Sequence, residues 1–542
     1  MNIGGKSSKG TILFVFSAIF LLLVIGCSQE PSEPNPSNEK GTAAPKTGGT
    51  ITIAYEIEPD TLDTHKSNGG ADLHVSWHLG GSLLYEDPVT HELKPYLAEE
   101  YKVSEDGKTL TFKIRSGITM HDGTPVTAKT FKETFERALK PEFKAGIANG
   151  VLAPVVTSVN APDDRTLILQ LKEPNAPLLE NISTPVTQPL SVKAIETYGT
   201  EYGEHPVGVG PWKFESWKHG EEVTLIRNDS FKWAEPFFEN QGPPRADKLV
   251  IKTILDKQTM MAALDSGSID IAPEIPPKDV KKYKNNPKYE VLETLRTGMG
   301  LYMSLNIKNE ALQDIQVRKA INMLVNKEAI IQAVLAGEGV VANGPLSPNM
   351  LGYDKAVEEY GYKYNPAEAK KLLHSSGWKV NGEGIREKNG KTLTLTLLSS
   401  GMDKQAQLIQ AMLGEAGIKV TIQNLEFGTM MGDLMKGKFD LAIGRFTWGG
   451  PDMLYPMFYS TGTYNFSGIK DDKLDELLEK GNKTFDMEAR KKIYKDAQKL
   501  IVEQAYHVPI YVDKRFTVVN TRVKGVKWIK FGLQFNDAWV DK

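Results

Sequence analysis

His74 and His78 stand four residues apart, a spacing that puts two imidazoles on one helical face and could begin a metal site. Trp77 is their neighbour and no carboxylate falls in step, so the pair reads as structural. The chain has 542 residues, nine histidines and one cysteine, Cys27. It contains no Gly-x-Ser-x-Gly elbow, no His-Glu-x-x-His helix, no Walker loop and no cysteine placed as a nucleophile, so the common hydrolytic chemistries find no support. Gly208 and Gly210, in HPVGVGPW, lack the strand-loop-helix setting and the Lys-Ser/Thr pair of a phosphate cradle, and read as turn glycines. No cofactor is implied.

Non-covalent binding remains, and the stretch FDLAIGRFTWGGPD, residues 439–452, is the place to look for it. Asp440 to Ile443 is a short apolar strand that feeds a loop holding Arg445, Trp448, Gly449, Gly450 and Asp452. Ligands of α/β folds collect at the carboxyl ends of strands, which makes these five residues candidate contacts. Trp448 either walls the ligand or packs beneath the loop, and Arg445 favours a salt bridge within the protein over a carboxylate clamp.

Elements able to hold such a loop recur along the chain. Leu110, Phe112 and Ile114 alternate with polar residues, the period of a half-buried strand, after the turn signal Asp106-Gly107. Thr127 then stands at an N-cap before a helix with Phe131, Phe135 and Leu139 on one face. GGTITIAY is a buried strand; LVIKTILDKQTMMAALDSGSIDIAP reads strand, helix, strand; NPAEAKKLLHSSGW is a capped helix before the strand LTLTLLSS. Charge is nearly balanced at −3, and no basic tract points to nucleic acid.

The ordered set Leu97-Ala98, SEDGKTLTF, Ile114-Arg115 and HDGTPVTA with its following helix resembles the signature of the family 5 extracellular solute-binding proteins, the peptide/nickel receptors of ABC importers. The resemblance implies a two-lobed α/β periplasmic-binding-protein-like fold of type II with an extra subdomain and the ligand between the lobes. Its implied divisions are 48–93 for the first part of lobe I, 94–204 for the extra subdomain, 205–305 for the second part of lobe I, 306–512 for lobe II and 513–542 for the return to lobe I. Tyr55 and Glu56, just after the first strand, become ligand candidates by the same resemblance, and a hinge falls near Asn306.

The implied function is capture of short peptides, di- or oligopeptides, for a membrane permease driven by ATPase subunits, by a monomer with no enzymatic activity. Peptide-binding branches place an aspartate a few residues after the tryptophan, where it pairs with the ligand's α-amino group. Here a glycine stands there and Asp452 is the nearest carboxylate, either taking that role or capping the following turn. Trp448-Gly449-Gly450-Pro451 and IREKNG resemble the nickel-chelate branch, whereas PEFKAGIANGV and NISTPVTQP lack that branch's arginines and tryptophan. A receptor for nickel chelates or another small solute is the alternative.

The amino terminus carries Lys6 and Lys9, an apolar run from Ile12 to Ile25 broken only by Ser17, and then Gly26-Cys27. This is the pattern of a bacterial lipoprotein signal, 1–26, cut before Cys27. Thioether-linked diacylglycerol and an amide-linked acyl chain on Cys27 would together anchor the protein on the outer face of a cell membrane, as in a Gram-positive bacterium. Residues 27–47, rich in Ser, Pro, Asn and Gly, read as a flexible tether.

Overall fold

The computed structural model describes residues 44–529 and 532–541. The signal segment, Cys27 and most of the tether lie outside the described residues. Residues 45–542 form one compact unit.

Its frame is a mixed sheet organised on the strand His507–Asn520, which is fourteen residues long. The first half of that strand pairs with Gly300–Leu305 and Gly339–Val341, and its second half pairs with Ile271–Ala272 and Tyr289–Leu295. The strand is buried over almost its whole length, in HVPIYV and again in FTVV, the pattern of a strand covered on both faces. On one side the sheet continues through Thr50–Tyr55, Lys248–Thr253, Glu222–Arg227 and Trp212–Lys218; on the other through Leu441–Phe446, Thr394–Ser399 and Lys419–Asn424. Each side has its own apolar core, one around Ile51, Ile53, Leu225 and Leu249, the other around Leu301, Met303, Leu395 and Ile443. The result is a two-lobed α/β protein.

The chain passes between the lobes at residues 296–299 and again near Asp513 within the long strand. This differs from the expectation of a hinge near Asn306. Gly300–Leu305 takes Leu441–Phe446 as a partner in continuous register, from Gly300↔Phe446 to Leu305↔Leu441, so it belongs to the second lobe. Gly298 shows why the crossing falls where it does: at φ 105° it occupies the left-handed region, and a Cβ there would stand 2.0 Å from the Phe446 carbonyl oxygen.

A four-stranded antiparallel sheet, Ala98–Val103, Thr109–Ile114, Thr166–Leu171 and Val156–Asn160, stands apart from the main one. Leu110 faces Leu169 and Phe112 faces Leu167 across it, and all four are fully buried with Phe131 and Phe135 of the helix Ala128–Ala138. Each such side chain contributes about 1.5 to 3 kcal/mol of burial. Thr127 caps that helix through a reciprocal pair with Thr130.

Candidate ligand-binding cleft

Thr50–Tyr55 is paired on both flanks, with Lys248–Thr253 and with Ile271, which fixes Tyr55 at the carboxyl edge of the first lobe. Its ring lies on His74, centroids 3.9 Å apart and planes 9° from parallel. Burial drives the His74 pKa down to about 4, opposed by Glu274 and assisted by Arg515, so the ring is neutral at pH 7. Burial also raises the Tyr55 hydroxyl, with the charge of Glu274 adding to it. Glu56 pairs with Lys257 at 2.8 Å. Glu274 accepts from Arg515 at 3.0 Å, and Arg515 lies 4.8 Å over the Trp528 ring. Tyr55, Glu56, His74, Glu274, Arg515 and Trp528 line a cavity of about 160 Å³.

The loop after Leu441–Phe446 meets the first lobe at a second cavity, of about 240 Å³. Trp448, Gly449, Gly450 and Asp452 line it from the second lobe; Leu73, Trp77, Ile147, Val151 and Val186 supply apolar wall from the first, and Glu180 stands among them. Trp448 stacks against Phe446 at 5.7 Å and 12° and remains 36% exposed, so it walls the cavity rather than packing beneath the loop. Its Nε1 donates to Asp452 Oδ2 at 2.9 Å. The N-cap positions of the turn Pro451–Met453 and of the helix Leu454–Phe458 are Gly450 and Met453, and neither carries a side-chain cap bond. A third cavity of about 280 Å³ shares Gly449 with the second and Trp528 with the first, and its lining adds Glu86, His91 and Asn349.

Tyr55 and Glu56 thus line one cavity, and Trp448, Gly449, Gly450 and Asp452 line another. Arg445 joins neither lining; its Nε stands 3.7 Å from Asp513 Oδ1, and Asp513 also accepts from Arg296 Nε at 2.9 Å. Arg445 therefore braces the crossing, the salt-bridge role its sequence position favoured. Sequence reasoning missed Glu180, Glu274, Arg515 and Trp528, which come from distant segments and carry no motif. His74 it took as structural, and its ring borders the first cavity. The cleft offers aromatic faces, apolar walls and polar edges held by internal ion pairs, an arrangement that can hold a solute.

Two lobes joined by crossing strands, with cavities between them, define a solute-binding receptor. The chain belongs to the bacterial extracellular solute-binding proteins, family 5, whose "Middle" model matches residues 92–468. Proteins of this kind serve ABC importers on the extracytoplasmic side. The chain is similar to the oligopeptide-binding protein AppA of Bacillus subtilis, 27% identical over 542 residues that cover 96% of each chain. A solved structure of AppA in complex with a nonapeptide superposes with a TM-score of 0.70 at 26% identity, covering 92% of this chain and 100% of that one. The chain is also 28% identical over 502 residues to the glutathione-binding protein GsiB of Escherichia coli O1:K1, covering 90% of this chain and 94% of that one. NikZ from Campylobacter jejuni, solved in complex with Ni(L-His), matches at 26% identity and a TM-score of 0.69, covering 89% of this chain and 96% of that one. Among the described residues no helix is long and apolar enough to cross a membrane.

Proposed function

We propose that this protein captures short peptides, di- and oligopeptides, outside the cytoplasm and hands them to the permease of an ABC importer, whose ATPase subunits drive uptake. It acts as a monomer, without catalysis or cofactor, tethered to the membrane by lipid on Cys27. The observation that carries this reading is the cleft itself: three cavities in series, the middle one sharing Trp528 with one neighbour and Gly449 with the other, suit an extended chain better than a single compact solute. The likeness to AppA, solved with a nonapeptide, supports it. Tyr55, Glu56, Trp448, Gly449, Gly450 and Asp452 serve as its walls, and peptide main chain can be held with water filling the remaining space.

The second reading, a nickel-chelate receptor, draws on Trp448-Gly449-Gly450-Pro451 and on the likeness to NikZ. Native mass spectrometry of the protein purified without refolding separates the two. Copurified peptides are the expected outcome; a bound nickel complex in place of peptide would overturn the peptide reading.

A further inference from the structure

Away from the crossing strands the two lobes meet a second time. The four-stranded sheet and its helix are fastened to the first lobe: Arg137 donates Nη1 and Nη2 to the Asp63 carboxylate at 3.0 and 2.7 Å, and the His121 ring donates Nε2 to the Gly210 carbonyl at 3.0 Å. The helices Asp472–Lys483 and Met487–Glu503 belong to the second lobe, where Leu474, Leu478, Tyr494 and Ile501 are buried with Met299 and Tyr302. Between these two bodies lies a seam. The Ala176 N–H donates to the Asn482 carbonyl at 2.7 Å. Arg490 donates Nη1 to Glu180 Oε1 at 2.5 Å, its Nε is held by the Gly481 carbonyl at 3.1 Å, and the Arg490 and Glu180 side chains are only 6% and 9% exposed. Phe485 packs against the apolar core of the four-stranded sheet beside Gly107, where a Cβ would stand 3.2 Å from its ring, and Lys483 lies 3.4 Å from Glu173 in solvent.

The three cavities of the cleft run between the crossings and this seam. Arg515, just beyond Asp513 on the long strand, lines the first cavity, and Glu180 lines the last. The lobes are therefore linked by the chain itself at one end of the cleft and by non-covalent contacts at the other. We propose that Arg490 and Glu180, with the Ala176–Asn482 bond and Phe485, form a latch that must release before the cleft opens, Arg490 being a positioning residue that holds the first-lobe side through Glu180. Hinge rotation about the crossings displaces most what lies farthest from them. The Ala176–Asn482 bond stands outside any helix or sheet ladder, so no cooperative element locks it. When the lobes part, water takes up the guanidinium and the carboxylate together, so the pair opens without stranding a charge; loss of one partner strands the other only while the lobes are shut. The latch acts whichever solute the cleft holds, and its failure leaves the peptide reading standing.

The test is hydrogen exchange, read at single residues by mass spectrometry on the purified ligand-free protein. In the wild type the Ala176 amide is expected to exchange through an opening that leaves His507–Asn520 protected; exchange at Ala176 only together with that strand, as in global unfolding, overturns the inference. Arg490→Gln strands Glu180 in the shut state alone, and is expected to speed exchange at Ala176 by about tenfold or more while His507–Asn520 stays within about threefold of wild type. Unchanged exchange at Ala176 overturns the latch. Equal acceleration in the long strand overturns it as well, since that is what a merely structural pair or a variant that fails to fold would give. Glu180→Gln strands the guanidinium instead and is expected to reproduce the result; wild-type exchange at Ala176 in that variant contradicts the proposal. Small-angle X-ray scattering of Arg490→Gln is expected to show a larger radius of gyration than wild type, and an equal radius with faster exchange would reduce the effect to local fraying and overturn the inference.

Discussion

Glu274 and Asp513 are joined through Arg296, which stands 3.4 Å from Glu274 Oε2 and 2.9 Å from Asp513 Oδ2. Arg296 opens the first crossing between the lobes and Asp513 lies on the second, so one guanidinium ties both passages to a residue of the cleft wall. Arg515 adds a further link to Glu274 at 3.0 Å. Arg296→Ala leaves Asp513 buried without its main partner, and removal of one member of a largely buried pair costs about 3 to 5 kcal/mol. Equilibrium urea unfolding of the variant should show that loss, and a change under about 1 kcal/mol would reduce the pair to a surface-like contact.

Gly298→Ala should destabilise the same region by a different route. The added Cβ meets the Phe446 carbonyl and the backbone sits at φ 105°, a strain of about 1 to 3 kcal/mol before any displacement of the strand. Differential scanning calorimetry that finds the alanine variant as stable as wild type would contradict the assigned crossing.

Acid should unfold the protein earlier than its surface charge suggests. Burial lowers His65, His78 and His507 to about 3 and His74 and His121 to about 4. Between those values and the unfolded value of about 6.5 the unfolded chain binds more protons, so stability is fully present above about pH 6.5 and falls as the pH drops toward 4. Melting temperatures across pH 4 to 7 test this, and a flat profile would count against buried neutral imidazoles.

Lys327 gives the opposite end of the pH range a signature. Its amine is buried, donates among the described residues only to the Ala342 carbonyl at 2.8 Å, and is lowered by burial to about 7. From about pH 7 to 10 the unfolded chain again binds the extra proton, so this group's contribution rises with pH over that window. Lys327→Met should remove the rise while leaving the protein folded; an unchanged slope would show that other groups carry it.

How much of this was legible in the sequence follows from where the physics is local. Leu110, Phe112 and Ile114, the Thr127 cap and the Asp106-Gly107 turn are short-range signals, and they appear as the expected strand, capped helix and turn. Thr50–Tyr55 was readable as a buried strand and Asp440–Ile443 as a short apolar one; the latter appears as Leu441–Phe446, running on through Arg445, which the sequence reading places in the loop. The crossing was misplaced because pairing partners, unlike strand identity, are set by residues far along the chain. The site divides in the same way. Trp448 and Asp452 were found on a loop with a signature, but their bond to each other, and the approach of Glu180 and Arg490 from 310 residues apart, depend on tertiary closure that no local pattern records.

The anchor is tested at Cys27. If it carries the lipid, Cys27→Ala should abolish fatty-acid labelling and leave the leader uncut; labelling that survives the substitution would sink the lipoprotein proposal.

The most direct test of the peptide reading is the melting temperature of the purified protein with a mixed short-peptide library and, separately, with nickel and histidine. A ligand that binds only the folded state at a hundred times its Kd stabilises it by about 2.7 kcal/mol. The account predicts that the peptides raise the melting temperature and that the nickel complex does so less. A larger shift with nickel–histidine than with peptides would contradict it.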